Sequence, residues 1–206
     1  RNLTLQSIGP VWDGNEVWLV AAGGVLFFAF PKAYASAMSG LYLAVFLLLW
    51  LIILRALAIE LRSQLNNPLW RSFWEAVFFI ASLGLASLLG ATMANLLRGF
   101  PLDATGHFFL PLWTNLLPRI PLGILDWFSL LIGVLGVGLL SLHGANYLVW
   151  KTEGDTQSRA REIASRLVWV NGILLLFGLL LTPVVQDQIG ARFVQSPWGF
   201  VFPLLA

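Results

Sequence analysis

Four long stretches without a charged residue constrain this chain more than any other feature. Residues 33–54, 76–97, 127–150 and 167–186 hold 22, 22, 24 and 20 residues, respectively, with no Asp, Glu, Lys or Arg. An α-helix needs about 20 apolar residues to cross the hydrocarbon core of a bilayer, so each stretch is long enough to span it. Helices are the expected form, because unpaired backbone groups are costly in lipid and the alternation typical of a β-barrel is missing.

The composition supports a membrane protein and excludes several other classes. Only 11% of the 206 residues are charged, whereas a soluble domain carries about 25% charge to keep its surface wet. The 58% hydrophobic content excludes a disordered chain, and the absence of cysteine excludes a disulfide scaffold. The 12 basic and 10 acidic residues are too sparse for a nucleic-acid-binding surface. We therefore expect an all-α, polytopic transmembrane helical bundle, with residues 1–206 forming a single domain.

A fifth apolar stretch, residues 17–31, is unusually short. Its 15 uncharged residues would form about 22 Å of helix, which is less than the thickness of the hydrocarbon core. Lys32 can extend its long side chain to the membrane surface, but Asp13 and Glu16 have short side chains and cannot. Counting this stretch, the sequence predicts about five complete spans, with one or both carboxylates at membrane depth.

The distribution of basic residues predicts the orientation of the bundle. The connection over residues 55–71 contains three Arg and that over residues 151–166 contains four basic residues, whereas residues 98–119 contain two. Because basic loops stay in the cytoplasm, we expect the first two connections and the Asp13 end on that side. Residues 98–118, rich in aromatics, are then expected to form a folded cap on the outer side. The chain starts at Arg1 and ends in an apolar stretch, so we expect a portion of a longer protein.

Asp13 is the first candidate for chemistry, within the run Trp-Asp-Gly-Asn-Glu-Val-Trp at residues 12–18. One interpretation is an interfacial acid that interacts favourably with the positive end of the helix dipole. The other is a carboxylate on a proton or ion path, because ionisable groups at membrane depth usually serve such paths. Asn15 could orient Asp13 or a water molecule, and Glu16 lies one turn further along the same face. The two carboxylates could therefore share a proton.

Other polar residues at the spans have structural and functional interpretations. Arg55 is either an arginine that reaches the membrane surface and sets orientation, or the partner of a buried acid. His143 and Asn146 lie three residues apart, and hydrogen bonding between helices is favoured over metal ligation because no second histidine has ligand spacing. Asp126 is expected to cap the helix that follows it. Three nearby glycines are expected to form a packing face rather than a phosphate loop: Gly133, Gly136 and Gly138.

Several of these segments together resemble a known family. Residues 9–19 read GPVWDGNEVWL and are followed by the small residues Ala22, Gly23 and Gly24. Residues 99–101 read GFP, and residues 143–148 read HGANYL. With these motifs, the chain resembles subunit II of cytochrome bd-type quinol oxidases. The resemblance covers essentially the whole chain and corresponds to about the first half of that subunit without its first helix.

The resemblance implies a membrane oxidase made of two subunits of similar fold. Quinol is oxidised near the outer face, and electrons pass through two b-type haems to haem d, or a b-type substitute, where oxygen is reduced to water. The haems and the quinol site belong to the partner, subunit I, so no cofactor bound by this chain itself is expected. The implied partners are subunit I, small accessory subunits, lipid and quinone, in a bacterial or archaeal cytoplasmic membrane, with no nucleic acid.

The resemblance also assigns roles to individual residues. Asp13 corresponds to the subunit II carboxylate on the proton route toward the haem d site, with Asn15, Glu16 and Arg55 in support. Trp18 corresponds to a residue that lines the apolar path of oxygen entry. Two other interpretations stay open at this point. One is a proton-coupled membrane transporter that uses Asp13 and Glu16, and the other is a membrane scaffold without a catalytic route.

Overall fold

The described part of the chain is helical, with one long loop. The computed structural model describes residue 4, residues 7–195 and residues 197–200. Within these residues the helices confirm the all-α class, and the only strand-like pairing is a single bridge between Trp113 and Leu125. The elements are α1 (Trp12–Ala29), α2 (Pro31–Gly40), α3 (Tyr42–Leu61), α4 (Pro68–Arg98), α5 (Trp127–Lys151), α6 (Asp155–Val185), α7 (Asp187–Gln195) and a 3₁₀ turn (Pro197–Phe200).

Four helices among the described residues, α3 to α6, are long and apolar enough to cross a membrane. They form the bundle, with α4 packed against both α3 and α5, and with α5 packed against α6. The prediction of five spans is therefore wrong by one for the described residues. The missing span is the one predicted over residues 17–31, because α1 is not among these four helices. The span predicted over residues 33–54 is present but shifted, as α3.

The helix that contains the short stretch, α1, does not reach the length and apolarity of the other spans. It covers Trp12–Ala29 and includes both Asp13 and Glu16, so its apolar part is short. It ends before Pro31, because the residue that precedes a proline is disfavoured in the helical conformation. Phe30 accordingly has φ −137° and ψ 61°, and α2 starts with Pro31 in its first turn.

The window at residues 33–54 is interrupted at Leu41, so the span in this region starts later than predicted. A contact from the distant loop explains the break. The Leu110 N–H donates to the Gly40 carbonyl over 2.9 Å, which replaces a bond within the helix. The Phe108 ring lies directly over Gly40, where any Cβ atom would come within 2.3 Å of it. A larger residue at position 40 would therefore displace the Phe108 ring, and α3 begins at Tyr42.

The long connection between α4 and α5 is a folded cap, as predicted. Its Leu110 and Ile124 side chains are fully buried and form a small apolar core with Leu41 and Ala44 at the start of α3. The chain leaves α4 through Gly99, whose φ of +88° favours glycine. Further apolar side chains pack against this core, including Leu88, Phe100, Phe108, Leu112 and Leu122.

A buried ion pair fixes the cap to the bundle. Arg98, the last residue of α4, pairs with Asp126, and their side chains are 3% and 0% exposed. Asp126 also accepts a hydrogen bond from the backbone N–H of Ser129 and caps α5, which confirms its predicted capping role. The Arg98 guanidinium donates further to the Asn95 side chain and to the Gly123 carbonyl, the latter over 2.9 Å. Sequence analysis placed Arg98 in the loop and did not predict this network.

An exposed turn at the tip of the cap is organised by Asp103. Its carboxylate accepts hydrogen bonds from the Thr105 hydroxyl at 2.6 Å and from the backbone N–H groups of Thr105 and His107. These bonds, with the Thr105 hydroxyl first, lower the pKa of Asp103. The charged Asp103 carboxylate therefore stabilises the turn at pH values above its pKa in the unfolded chain. This stabilisation is lost as the pH falls through the lowered pKa of Asp103 in the folded chain.

Glycines bring α4 and α5 into close contact, which confirms the predicted packing face. A Cβ atom on Gly90 would lie 2.7 Å from the Ile132 carbonyl oxygen, and one on Gly136 would lie 3.1 Å from the Gly90 Cα atom. Gly133 similarly faces the Ser87 carbonyl oxygen at 3.1 Å. Small residues allow this close backbone approach between membrane helices. Gly138 instead faces α6, where it meets the side chain of Asn171.

Replacing Gly90 with alanine should loosen the contact between α4 and α5. The added methyl group would overlap backbone atoms of α5, so we expect the free energy of unfolding to fall by about 1–3 kcal/mol. Gly144→Ala is the matched control, because no atom lies within 4 Å of its added Cβ. Thermal unfolding of the purified protein in detergent compares the two. Equal stability of both variants would contradict the close contact.

Removing the carboxylate of Asp126 should destabilise the protein strongly, because the buried Arg98 would then lack a counter-charge. We expect Asp126→Ala to cost about 3–5 kcal/mol of unfolding free energy. The control is Glu162→Ala, which breaks the exposed pair between Arg166 and Glu162, whose side chains are 76% and 64% exposed. That change should cost at most about 1 kcal/mol. Similar losses in thermal unfolding for both variants would contradict the role of the buried pair.

Candidate functional site

An ion pair joins the short acidic helix to the first full span. Glu16, in the second turn of α1, accepts a hydrogen bond from the Arg55 guanidinium of α3. The two side chains are 16% and 22% exposed, so both are largely withdrawn from the surface. Sequence analysis predicted both residues for one proton route, and the structure brings them together.

The position of Arg55 explains why it needs a partner. It precedes the last residue of α3 by six positions, or about 9 Å along the helix axis, and therefore lies inside the span. An unpaired cation at such depth is costly, and the carboxylate of Glu16 compensates its charge. The guanidinium also lies over the Phe78 ring of α4, with its Cζ atom 5.7 Å from the ring centroid. This distance permits a cation–π interaction.

Asp13 and Asn15 occupy a different position from Glu16. Both side chains are exposed on α1, and neither forms a hydrogen bond with the residues that the structure describes. Asp13 lies in the first turn of the helix, where its charge interacts favourably with the helix dipole. The Glu16 carboxylate is hydrogen-bonded to Arg55, and the proton shared between Asp13 and Glu16 stays a prediction.

Trp18 belongs to an apolar surface that the described residues leave uncovered. Its side chain is 75% exposed, and α1 has no buried residue at all. The neighbouring Val17 and Val20 and the more distant Phe28 are similarly exposed. The helix therefore presents Asp13, Asn15 and Trp18 outward from the described part of the chain, whereas Glu16 is turned toward α3.

His143 and Asn146 do not form the interhelical hydrogen bonds that we expected. Both side chains are exposed on α5, and within the described residues neither has a hydrogen-bond partner. The neighbouring Tyr147 is the polar residue that makes a contact here, since its hydroxyl donates to the Ser7 carbonyl over 2.9 Å. Among the residues described, no group of three or more His, Cys, Asp or Glu side chains is arranged to hold a metal ion.

Sequence analysis missed a second ion pair on the same helix face. The Arg62 guanidinium donates to Glu75 Oε1 from both Nη2, at 2.8 Å, and Nε, at 3.1 Å. This pair joins the end of α3 to the start of α4, where the Trp70 indole N–H also donates to the Leu61 carbonyl. The seven-residue spacing of Arg55 and Arg62, which places both on one helix face, was the available signal.

Comparisons with known proteins identify the family of this chain. The family model for cytochrome bd terminal oxidase subunit II matches residues 1–206. The chain is 35% identical over 192 residues to a protein of Haemophilus influenzae named "Probable cytochrome oxidase subunit 2". The match covers 89% of this chain and 46% of that protein. It is 34% identical over 186 residues to cytochrome bd-I ubiquinol oxidase subunit 2 of Escherichia coli, covering 87% and 48%.

A more distant relative gives the same result. Cytochrome bd ubiquinol oxidase subunit 2 of Bacillus subtilis is 32% identical over 194 residues, covering 93% of this chain and 54% of that protein. The chain thus spans about half the length of the curated relatives it matches. With four apolar helices among its described residues and a family match over its entire length, this multi-pass membrane protein belongs to the cytochrome bd terminal oxidase subunit II family.

Proposed function

We propose that this chain is part of subunit II of a bd-type quinol:oxygen oxidoreductase that works in aerobic respiration. The family match over residues 1–206 is the observation on which the proposal rests. The chain would form part of one transmembrane helical domain in a heterodimer with subunit I. Quinone, lipid and small accessory subunits complete the proposed set of partners, and the complex would lie in the cytoplasmic membrane of a bacterium or archaeon.

The haems of such a complex are assigned to subunit I, because the donors described in this chain do not fit a haem site. His107 lies in the cap, where its Nδ1 atom is 3.0 Å from the Thr105 hydroxyl. His143 stands alone and exposed on α5, without a second ligand among the described residues. Haem ligation in helical membrane proteins needs a suitably placed axial residue, and neither histidine provides a buried one. We therefore assign no step of electron transfer to this chain.

The proposed contribution of this chain is access for protons. Reduction of oxygen to water consumes protons, and these must reach a buried site through apolar surroundings. Glu16 can accept a proton, and Arg55 holds its carboxylate in place between α1 and α3. Asp13, one turn earlier and exposed, would pass protons across the surface that α1 presents to subunit I. Asn15 lies between the two acids in sequence and would orient water there.

The second proposed contribution is access for oxygen. Trp18 and its apolar neighbours on α1 are exposed in this chain, and an apolar surface of this kind favours a small nonpolar molecule. Covered by subunit I, this surface would form one wall of an oxygen path. The basic connections at residues 55–71 and 151–166 place the Asp13 end on the cytoplasmic side in this proposal.

The haem spectrum tests the proposal against the transporter alternative, which no observation favours. A purified complex that contains the full-length subunit should show b- and d-type haem bands, or b-type bands alone in a variant, and should consume oxygen when quinol is added. A complex without haem bands and without quinol-dependent oxygen uptake would contradict the oxidase function.

Asp13→Asn should slow oxygen reduction in the assembled complex. The amide cannot accept and release a proton, so we expect kcat to fall about tenfold or more with haem content unchanged. Asp155→Asn is the matched control, because Asp155 is also exposed in the first turn of a helix at the predicted cytoplasmic end. Its activity should stay close to that of the unmodified complex. Normal turnover in Asp13→Asn would instead support a scaffold without a proton route.

Trp18→Ala should change the response to oxygen more than the response to quinol. Loss of the indole alters the wall of the proposed oxygen path, so we expect the KM for oxygen to change by at least about threefold. Trp169→Ala is the control, since Trp169 is 77% exposed on α6, compared with 75% for Trp18. Oxygen-electrode titrations at fixed quinol provide both constants. A larger change in the KM for quinol would contradict the assignment.

A further inference from the structure

Two ion pairs lie at successive depths along one face of α3. Arg62, directly after the last residue of α3, pairs with Glu75 of α4, and Arg55 pairs with Glu16 of α1. The two arginines are seven residues apart, which is about 10 Å along the helix axis. Each arginine therefore brings one carboxylate, from a different helix, to the same side of α3.

The carboxylate of the deeper ion pair is less exposed than the carboxylate of the outer pair. The Glu75 carboxylate, near the start of α4, is 29% exposed, whereas the Glu16 side chain is 16% exposed. The outer carboxylate can exchange protons with solvent, and the inner one is better shielded. Both are held by arginines, which stay charged over the whole physiological pH range.

Two further residues lie on this face of α4, deeper in the bundle than Glu75. Phe78 lies one turn beyond Glu75, and its ring lies under the Arg55 guanidinium. Ser82 lies another turn further on the same face, and its buried hydroxyl has no hydrogen-bond partner among the residues that the structure describes. A buried hydroxyl is rarely left unsatisfied, and a water molecule is its usual partner where protein groups are missing.

We propose that Glu75 is the entrance through which protons from the membrane surface reach Glu16. The inference rests on the proposed function, since it extends the proton route of the oxidase to its solvent end. Glu75 takes up a proton from surface water, and the proton then passes through water along the seam between α3 and α4 to the Glu16 carboxylate. Ser82 provides a hydrogen-bonding group for water on this seam.

The test replaces Glu75 in the full-length subunit, assembled with its partner as the oxidase complex. Glu75→Gln should lower the kcat of oxygen reduction about tenfold, raise the solvent deuterium isotope effect, and leave haem content and the KM for quinol unchanged. Glu75→Asp should restore most of the rate. Glu60→Gln is the matched control, because Glu60 lies near the same end of α3 with an exposed side chain, and its kcat should stay within about twofold.

Arg62→Gln distinguishes proton entry through Glu75 from a purely structural role of the ion pair between α3 and α4. It breaks the same ion pair but leaves the carboxylate, so it should slow turnover less than Glu75→Gln and leave the isotope effect unchanged. Equal losses in the two variants would overturn the proposal. If Glu75→Gln does not assemble, Glu75→Asp and Ser82→Ala replace it: an active Glu75→Asp with a slowed Ser82→Ala supports the entrance, and a normal rate for Ser82→Ala overturns it.

Glu16→Gln, measured beside these variants, distinguishes failure of this inference from failure of the proposed function. A slow Glu16→Gln with a normal Glu75→Gln overturns the entrance and leaves the inner proton route intact. Normal rates and isotope effects in both variants would overturn the inner route together with its entrance.

Discussion

The ion pair between Glu16 and Arg55 is the interaction on which the placement of the functional residues depends. An arginine inside an apolar span requires a counter-charge, and in this chain that charge comes from the helix with the WDGNEVW motif. The motif helix α1 has no buried residue and packs little against the bundle. The pair therefore fixes where Asp13, Glu16 and Trp18 lie relative to the spans.

The rest of the bundle follows from two other constraints. Close approach of α4 and α5 requires glycines, because the backbone of one helix occupies the space that side chains of the other would need. The opposite end of these helices is fixed by Arg98 and Asp126, which are buried and satisfy each other's charge. A buried pair of this kind costs desolvation energy and is weak evidence for added stability, but losing one partner is expensive. The cap is thereby held over the break between α2 and α3.

The parts of the fold that depend on local sequence could be predicted, and those that depend on distant contacts could not. Charge-free length predicted α5 and the end of α4 closely, and the position of Asp126 before a span predicted its capping role. The break at Leu41 could not be predicted, because it results from Phe108, more than sixty residues away, packing on Gly40. Similarly, sequence spacing suggested Asp13 as the partner of Glu16. Spacing along the chain predicts which residues are neighbours on one helix, but it does not predict contacts between different helices. The true partner, Arg55, lies 39 residues away.

The most direct test of the central claim is a double-mutant cycle on oxygen reduction in the assembled complex, with Glu16→Gln, Arg55→Gln and the double variant. If the two residues act as one unit in proton delivery, the double variant should lose no more activity than the more impaired single variant, with a coupling energy of about 1 kcal/mol or more. Losses that simply multiply, or single variants with normal turnover, would contradict the account.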